Sequence, residues 1–155
     1  MAPLPRSVLI IEARFYDDIA DELLHGAKAE LTANGVACEV IQVPGALEIP
    51  PALAIALDAR RIGRAGGHQG CIALGCVIRG ETSHYDIVAG ESARALMELS
   101  VRHALPVGNG ILTVDGREQA WKRASVDKGN KGAAAAAACL SLISIRARMS
   151  PAGKS

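Results

Sequence analysis

The run Arg79-Gly80-Glu81-Thr82-Ser83-His84-Tyr85-Asp86 sets an imidazole, carboxylates and hydroxyls just past the apolar stretch Cys71 to Ile78. His84 suits proton transfer near neutrality, because an unperturbed imidazole titrates at about pH 6.5. Gly80 permits close backbone approach, and Thr82 or Ser83 can cap a following helix. Free amides and the helix dipole at such a start favour an anion, most simply a phosphate. A plain helix cap would use the same residues. Glu81 is awkward for an anion, so its backbone rather than its carboxylate would do any binding. The loop lacks the glycine run and lysine of a P-loop, which argues against a nucleoside triphosphate. Ser83 and His84 are sequence neighbours with no Gly-x-Ser-x-Gly elbow, so a nucleophilic pair is not indicated. The histidines have no metal-ligand spacing, which argues against zinc; His25, His68 and His103 read as surface residues.

Other residues with chemical potential stand near the ends of further apolar runs. Three of the four aromatic rings, Phe15, Tyr16 and Tyr85, do so. They either cover a sheet edge or offer a face to a planar substrate ring. In Trp121-Lys122-Arg123, the bases fit a solvated helix surface, while Arg123 could instead grip a phosphate in bidentate fashion. The Gly129-Asn130-Lys131-Gly132 turn could also present Lys131 to a site, though a turn before a helix needs no such role. Cys38, Cys71, Cys76 and Cys139 sit in apolar stretches and read as buried, reduced thiols. Cys76 leads into the candidate loop, yet no neighbouring base marks it as a nucleophile.

The elements that must carry these residues alternate along the chain. Strands are expected at Ser7–Ala13, Val36–Val43, Cys71–Ile78 and Pro106–Thr113. Helices are expected from Asp17 or Asp18 to about Leu31, from about Glu48 to Ile62, over Tyr85–Arg102 and Arg117–Ala124, and from Lys131 to about Arg148. Asn34-Gly35 stops the first, and Pro50-Pro51 is tolerable only in the opening turn of the second. Arg60 to Gly70 is a polar, glycine-bearing connection. This order implies an α/β fold with a parallel sheet covered on both faces, whose ligands bind outside the carboxyl ends of the strands. Residues 1–155 are expected to form one domain, with 1–6 and 150–155 flexible.

Composition narrows the partners. Seventeen basic and 16 acidic residues leave a net charge of +1, which gives no long-range pull toward nucleic acid or an acidic membrane. No apolar run reaches the roughly 18 residues of a membrane span, and the N-terminus lacks a signal-peptide core. A cytoplasmic protein is the expectation.

Several stretches together carry a resemblance. Val43-Pro44-Gly45-Ala46-Leu47-Glu48-Ile49-Pro50, Ala73 to Asp86, Gly110-Ile111-Leu112-Thr113, Glu118-Gln119-Ala120 and Asn130-Lys131-Gly132 resemble lumazine synthase in order and spacing. The resemblance spans residues 7 to 145. It implies a flavodoxin-like three-layer sandwich and a transferase of riboflavin biosynthesis. Such an enzyme condenses 5-amino-6-(D-ribitylamino)uracil with 3,4-dihydroxy-2-butanone 4-phosphate. The products are 6,7-dimethyl-8-ribityllumazine, phosphate and water, with no metal or organic cofactor. By that resemblance Phe15 stacks on the pyrimidine, Ala46, Leu47 and Glu48 hold the ribityl side, and Cys76, Val77 and Ile78 line the ring pocket. Glu81, Thr82 and Arg123 hold the butanone phosphate, and His84 moves protons. The resemblance also implies homopentamers, or icosahedral shells of twelve pentamers, with Asn109, Arg123 and Lys131 supplied by the adjacent chain.

The chain departs from the family pattern at Tyr16, often asparagine, and at Leu47 and Asn109, often aromatic. The pocket would then keep Phe15 as its stacking ring with fewer supporting contacts. The Arg60–Gly70 connection is also longer than usual, and with the proline-bearing N-terminus it points to a free pentamer. The competing reading is a non-catalytic relative that binds a flavin or lumazine. His84 and Arg123 argue against it, since a binder needs no proton shuttle. A generic flavodoxin-like module would leave the long central motif to coincidence. A shell protein is compatible with catalysis.

Overall fold

The computed structural model describes residues 6–63 and 67–151. Among them, four parallel strands form one sheet: β1 (Ser7–Ala13), β2 (Ala37–Val43), β3 (Cys71–Ile78) and β4 (Val107–Val114), in the order β2-β1-β3-β4. The helices are α1 (Asp17–Ala33), α2 (Ile49–Asp58), α3 (His84–His103), α4 (Arg117–Ala124) and α5 (Lys131–Met149). This is the flavodoxin-like α/β three-layer arrangement that the alternation of runs implies. β1 and β3 are central and covered on both faces, so their sequences read as continuous apolar runs. β2, on an edge, is exposed at Ala37, Glu39 and Gln42.

The two layers differ in how they are filled. One holds Val8 and Ile10 of β1, Ile19, Leu23 and Leu31 of α1, and the small residues Ala135, Ala136 and Cys139 of α5. Glycines let this layer close: a Cβ at Gly108 would collide with the carbonyl of Ala135, and one at Gly132 with the carbonyl of Leu23. The other layer joins Leu9 and Ile11 to Ile49 and Leu53 of α2 and Leu96 of α3. There α3 buries only Val88, Ser92 and Leu96 and leaves Ile87, Met97 and Val101 more than half exposed. Contrary to the sequence expectation, α5 is long and apolar enough to cross a membrane by length and composition. Its buried stripe Gly132, Ala135, Ala136, Cys139 and Ile143 seats it within this fold, against α1 and β4.

Boundaries agree with the sequence reading within a residue or two except at α2. That helix ends at Asp58, not Ile62, after a 3-10 turn at Ala46–Glu48. Arg60 is left-handed at φ 57°. The amides of Arg60 and Arg61 turn back to the carbonyls of Leu57 and Ala56, at 3.1 and 3.0 Å. Ile62, 2% exposed, is apolar because it packs beneath the sheet edge and bridges to His68, which mimics another helical turn in sequence. Of the ends expected to be flexible, residues 1–5 and 152–155 lie outside the described residues, as do 64–66 of the connection. Arg6 is tied down: its Nη2 donates to the Asn34 carbonyl at 2.8 Å. The Ser150 hydroxyl likewise donates to the Arg146 carbonyl at 2.9 Å.

Candidate active site

Because the strands are parallel, their carboxyl ends share one edge, where the β1–α1 turn, the 3-10 turn after β2 and the loop after β3 come together. His84 is the first residue of α3, and its amide donates to Thr82 Oγ1 at 3.3 Å. Ser83 occupies the cap position but makes no side-chain cap, so the cap falls to Thr82. The side chains of Glu81 and His84 are exposed and have no polar partner among the described residues. Open space lies beside Gly80.

Arg79 braces this loop from both sides. Its Nε donates to Asp115 at 3.0 Å, its Nη1 lies 3.7 Å from Asp86, and its guanidinium sits over the Tyr85 ring at 4.3 Å. The Asp115 bond raises the Arg79 pKa above its ordinary value, with Asp86 adding to it. The loop is therefore pinned at its two ends while its middle faces solvent.

Phe15 is 73% exposed, with its ring edge-on to Tyr16 at 5.0 Å. It projects from a turn that Arg14 straddles. Arg14 Nη1 donates to Glu12 Oε1 at 2.9 Å, and the guanidinium also bonds Asp17 and Asp21 of α1. Burial disfavours the Arg14 charge, but its bonds to Asp21 and Glu12 outweigh that and raise its pKa. Gln42 Nε2 donates to the second oxygen of Glu12 at 3.4 Å. Sequence reasoning missed Glu12. The available signal was a lone acid inside an apolar strand, two residues from an arginine and so on the same face.

Ala46 is buried, Glu48 is exposed, and Leu47 lines an open groove with Pro50, Pro51, Ser92 and Leu99, between α2 and α3. A second groove lies at the far end of α3 and α5; neither groove contains Phe15, His84 or Arg123. Cys76 and Ile78 pack toward the α1/α4/α5 layer, and Val77 alternates to the other face. Burial pushes the Cys76 thiol up to about 11, Arg117 opposing and Asp18 assisting, so it is protonated at neutral pH. Cys71 and Cys139 are buried, and burial raises both, Cys139 to about 12. All four cysteines are free.

The remaining candidates stand apart from His84 within one chain. Arg123 lies on α4, which packs against α1 and β4, whereas α3 packs against α2 and the 3-10 turn. It is exposed, and its Nη1 donates to the Gln119 carbonyl at 3.1 Å. α4 is joined to α1 by Arg117, which pairs with Asp18 and lies 5.9 Å from the Tyr16 ring centre. Asn109 is paired in register with Ala73, well back from the carboxyl edge, and its Oδ1 accepts from the Ile111 amide at 2.9 Å. Lys131 is exposed at the start of α5.

His68 departs from the expectation of a surface residue. Its Nδ1 lies 2.9 Å from Ser7 Oγ and its Nε2 2.7 Å from Glu39 Oε1, with the side chain 14% exposed. The carboxylate can only accept, so a neutral ring donates from Nε2 to Glu39 and accepts from Ser7. The His68 bond, with help from Arg61 and against burial, holds the Glu39 carboxyl below its ordinary range. This cluster lies at the amino edge of the sheet, away from the candidate site.

Comparison with known proteins identifies the family. Residues 6–147 match the family described as 6,7-dimethyl-8-ribityllumazine synthase. The chain is 64% identical over 140 residues to a 6,7-dimethyl-8-ribityllumazine synthase of Methylorubrum extorquens (strain PA1), covering 90% of this chain and 80% of the relative. It is 58% identical over 143 residues to that of Afipia carboxidovorans, covering 92% and 86%. It is 56% identical over 145 residues to 6,7-dimethyl-8-ribityllumazine synthase 1 of Rhizobium meliloti (strain 1021), covering 94% of each.

Proposed function

The chain belongs to the 6,7-dimethyl-8-ribityllumazine synthase family, transferases of riboflavin biosynthesis, and we propose that its catalytic centre is the open carboxyl edge around His84. The reaction is the condensation of 5-amino-6-(D-ribitylamino)uracil with 3,4-dihydroxy-2-butanone 4-phosphate, giving the lumazine, phosphate and water. The observation that carries the site assignment is His84 at the first position of α3, without a side-chain partner among the described residues and exposed on the edge that also bears Phe15. A non-catalytic binder is not favoured, since relatives at 56–64% identity are named as synthases.

The residue types suit the steps. The amine attacks the ketone, water leaves to give an imine, phosphate is eliminated and the ring closes; each step moves a proton. His84 serves these transfers. Phe15 stacks on the pyrimidine, Ala46, Leu47 and Glu48 take the ribityl side, and Cys76, Val77 and Ile78 floor the ring pocket. Glu81, through its backbone, and Thr82 hold the phosphate with Arg123, which neutralises the leaving group. Arg123, Asn109 and Lys131 act from the adjacent chain of a homopentamer, a ring in which head-to-tail contacts close by rotation. Two observations support this. Arg123 lies on the layer opposite His84, and α3 leaves Ile87, Met97 and Val101 exposed for a neighbour to cover. Free thiols in apolar surroundings fit the reducing cytoplasm as the compartment.

Turnover with both substrates, followed by lumazine absorbance, tests the reading. His84→Ala should lower kcat roughly 10²- to 10⁴-fold. It should leave a residue of catalysis, because alignment of two substrates alone accounts for about 7–11 kcal/mol. An unchanged rate in that variant, or no product above the uncatalysed rate from folded protein, would overturn it.

A further inference from the structure

Glu12 is central and 1% exposed, on a strand whose other residues beyond Ser7 are apolar. A leucine there would pack beside Val8 and Ile10 on the same sheet face. Burying an ion pair is weak as a source of stability, because desolvation offsets the attraction, and hydrophobic replacements are often neutral or better. The arrangement of its contacts suggests what it does instead. One oxygen takes Arg14, whose guanidinium reaches on to Asp17 and Asp21 of α1 and so spans the turn that presents Phe15. The other takes Gln42, near the end of β2, a few residues before the Ala46–Glu48 turn.

We propose that Glu12 and Arg14 are positioning residues for the pyrimidine substrate, fixing the Phe15 turn and the 46–48 turn relative to one another. This rests on the functional reading above and adds a specificity-determining pair to it. The pair holds the half of the site that meets the ring and its ribityl chain. It does not touch the loop at 80–84, where the butanone phosphate binds. The two substrates should therefore respond differently to its loss.

The test uses the full-length chain with the double replacement Glu12→Leu/Arg14→Met, which removes both charges together and leaves neither unpaired. The expected result is a melting temperature near wild type and a KM for the aminouracil raised about tenfold, the loss of roughly one well-placed contact. The KM for the butanone phosphate and kcat should move less than about twofold, within the same free-energy scale. Hydrogen exchange of the amides at 14–17 should quicken in the double variant, and Arg14→Lys should recover part of the KM. Unchanged exchange at those amides overturns the proposal whatever the activity. So does an unchanged aminouracil KM in an active enzyme, or an equal rise in both KM values with a fall in kcat. A wild-type chain that makes no lumazine overturns the functional reading and this inference with it.

Discussion

The two edges of the sheet handle polar groups in opposite ways. At the amino edge several are consumed by one another: Ser7, His68, Glu39 and Arg61 form a chain, Arg6 caps Asn34, Ser100 bonds the Leu105 carbonyl and Arg146 the Ala104 carbonyl. At the carboxyl edge, Arg14, Arg79 and Arg117 are paired to acids, but these pairs brace turns and loops. What they brace, Phe15, Glu81 and His84, faces solvent. Groups satisfied within the chain hold the fold, while groups held in place but left free are available to a ligand. Perturbing the amino edge should therefore cost stability at constant chemistry, and perturbing the carboxyl edge the reverse.

After His84, the largest of these effects is expected at Arg123. A charge-assisted bond to phosphate is worth about 1.5–3 kcal/mol, so Arg123→Ala should raise the KM for the butanone phosphate on the order of 10- to 100-fold. Its melting temperature should stay near wild type, because the side chain is exposed and, among the described residues, bonds only a helix carbonyl. Steady-state kinetics beside calorimetry checks both halves. A large stability loss would make the residue part of the frame.

At the opposite edge, His68→Ala should do the converse. Removing the ring unpairs Ser7 and leaves Glu39 only its 3.5 Å contact with Arg61, at a cost of about 1–2 kcal/mol. In a chain of this size that lowers Tm by roughly 2–4 °C per kcal/mol, as thermal melts would show. kcat and both KM values should be unaltered; a kinetic defect would erase the distinction between the edges.

The comparison is sharpened further through pH. Folding raises the thiol pKa of Cys76 to about 11 and of Cys139 to about 12 from an ordinary 9.0. Between those values the folded chain holds protons that the unfolded chain has released, so stability falls with rising pH. The thiols' contribution is complete below pH 9 and lost as pH approaches 11–12. Replacing Cys139 by alanine should flatten that part of a denaturation-versus-pH curve. An unchanged slope would contradict burial as the cause.

Much of this frame can be read from local pattern. The continuous apolar runs of β1 and β3 and the helical stripe of α1 are local signals, and parallel strands then put Phe15, Ala46–Glu48 and His84 on one edge. What could not be read depends on distant partners. His68 meets Ser7 across 61 residues, and nothing in its local surroundings marks it as other than a surface imidazole. Ile62 keeps helical spacing with α2, yet the left-handed Arg60 has already ended the helix. Glu12 reads as a blemish in an apolar strand until Arg14 and Gln42 are placed around it. Arg123 and Asn109 lie away from His84 within one chain, on α4 and in the body of β4.

Complementation between two damaged chains therefore tests the account most directly. His84→Ala and Arg123→Ala chains, unfolded together in equal amounts and reassembled, are assayed for lumazine formation. If each site joins the His84 edge of one chain to Arg123 of the next, random assembly around a ring restores about a quarter of wild-type turnover. A mixture no faster than the mean of the two separate variants would contradict it, because His84 and Arg123 would then have to act within a single chain.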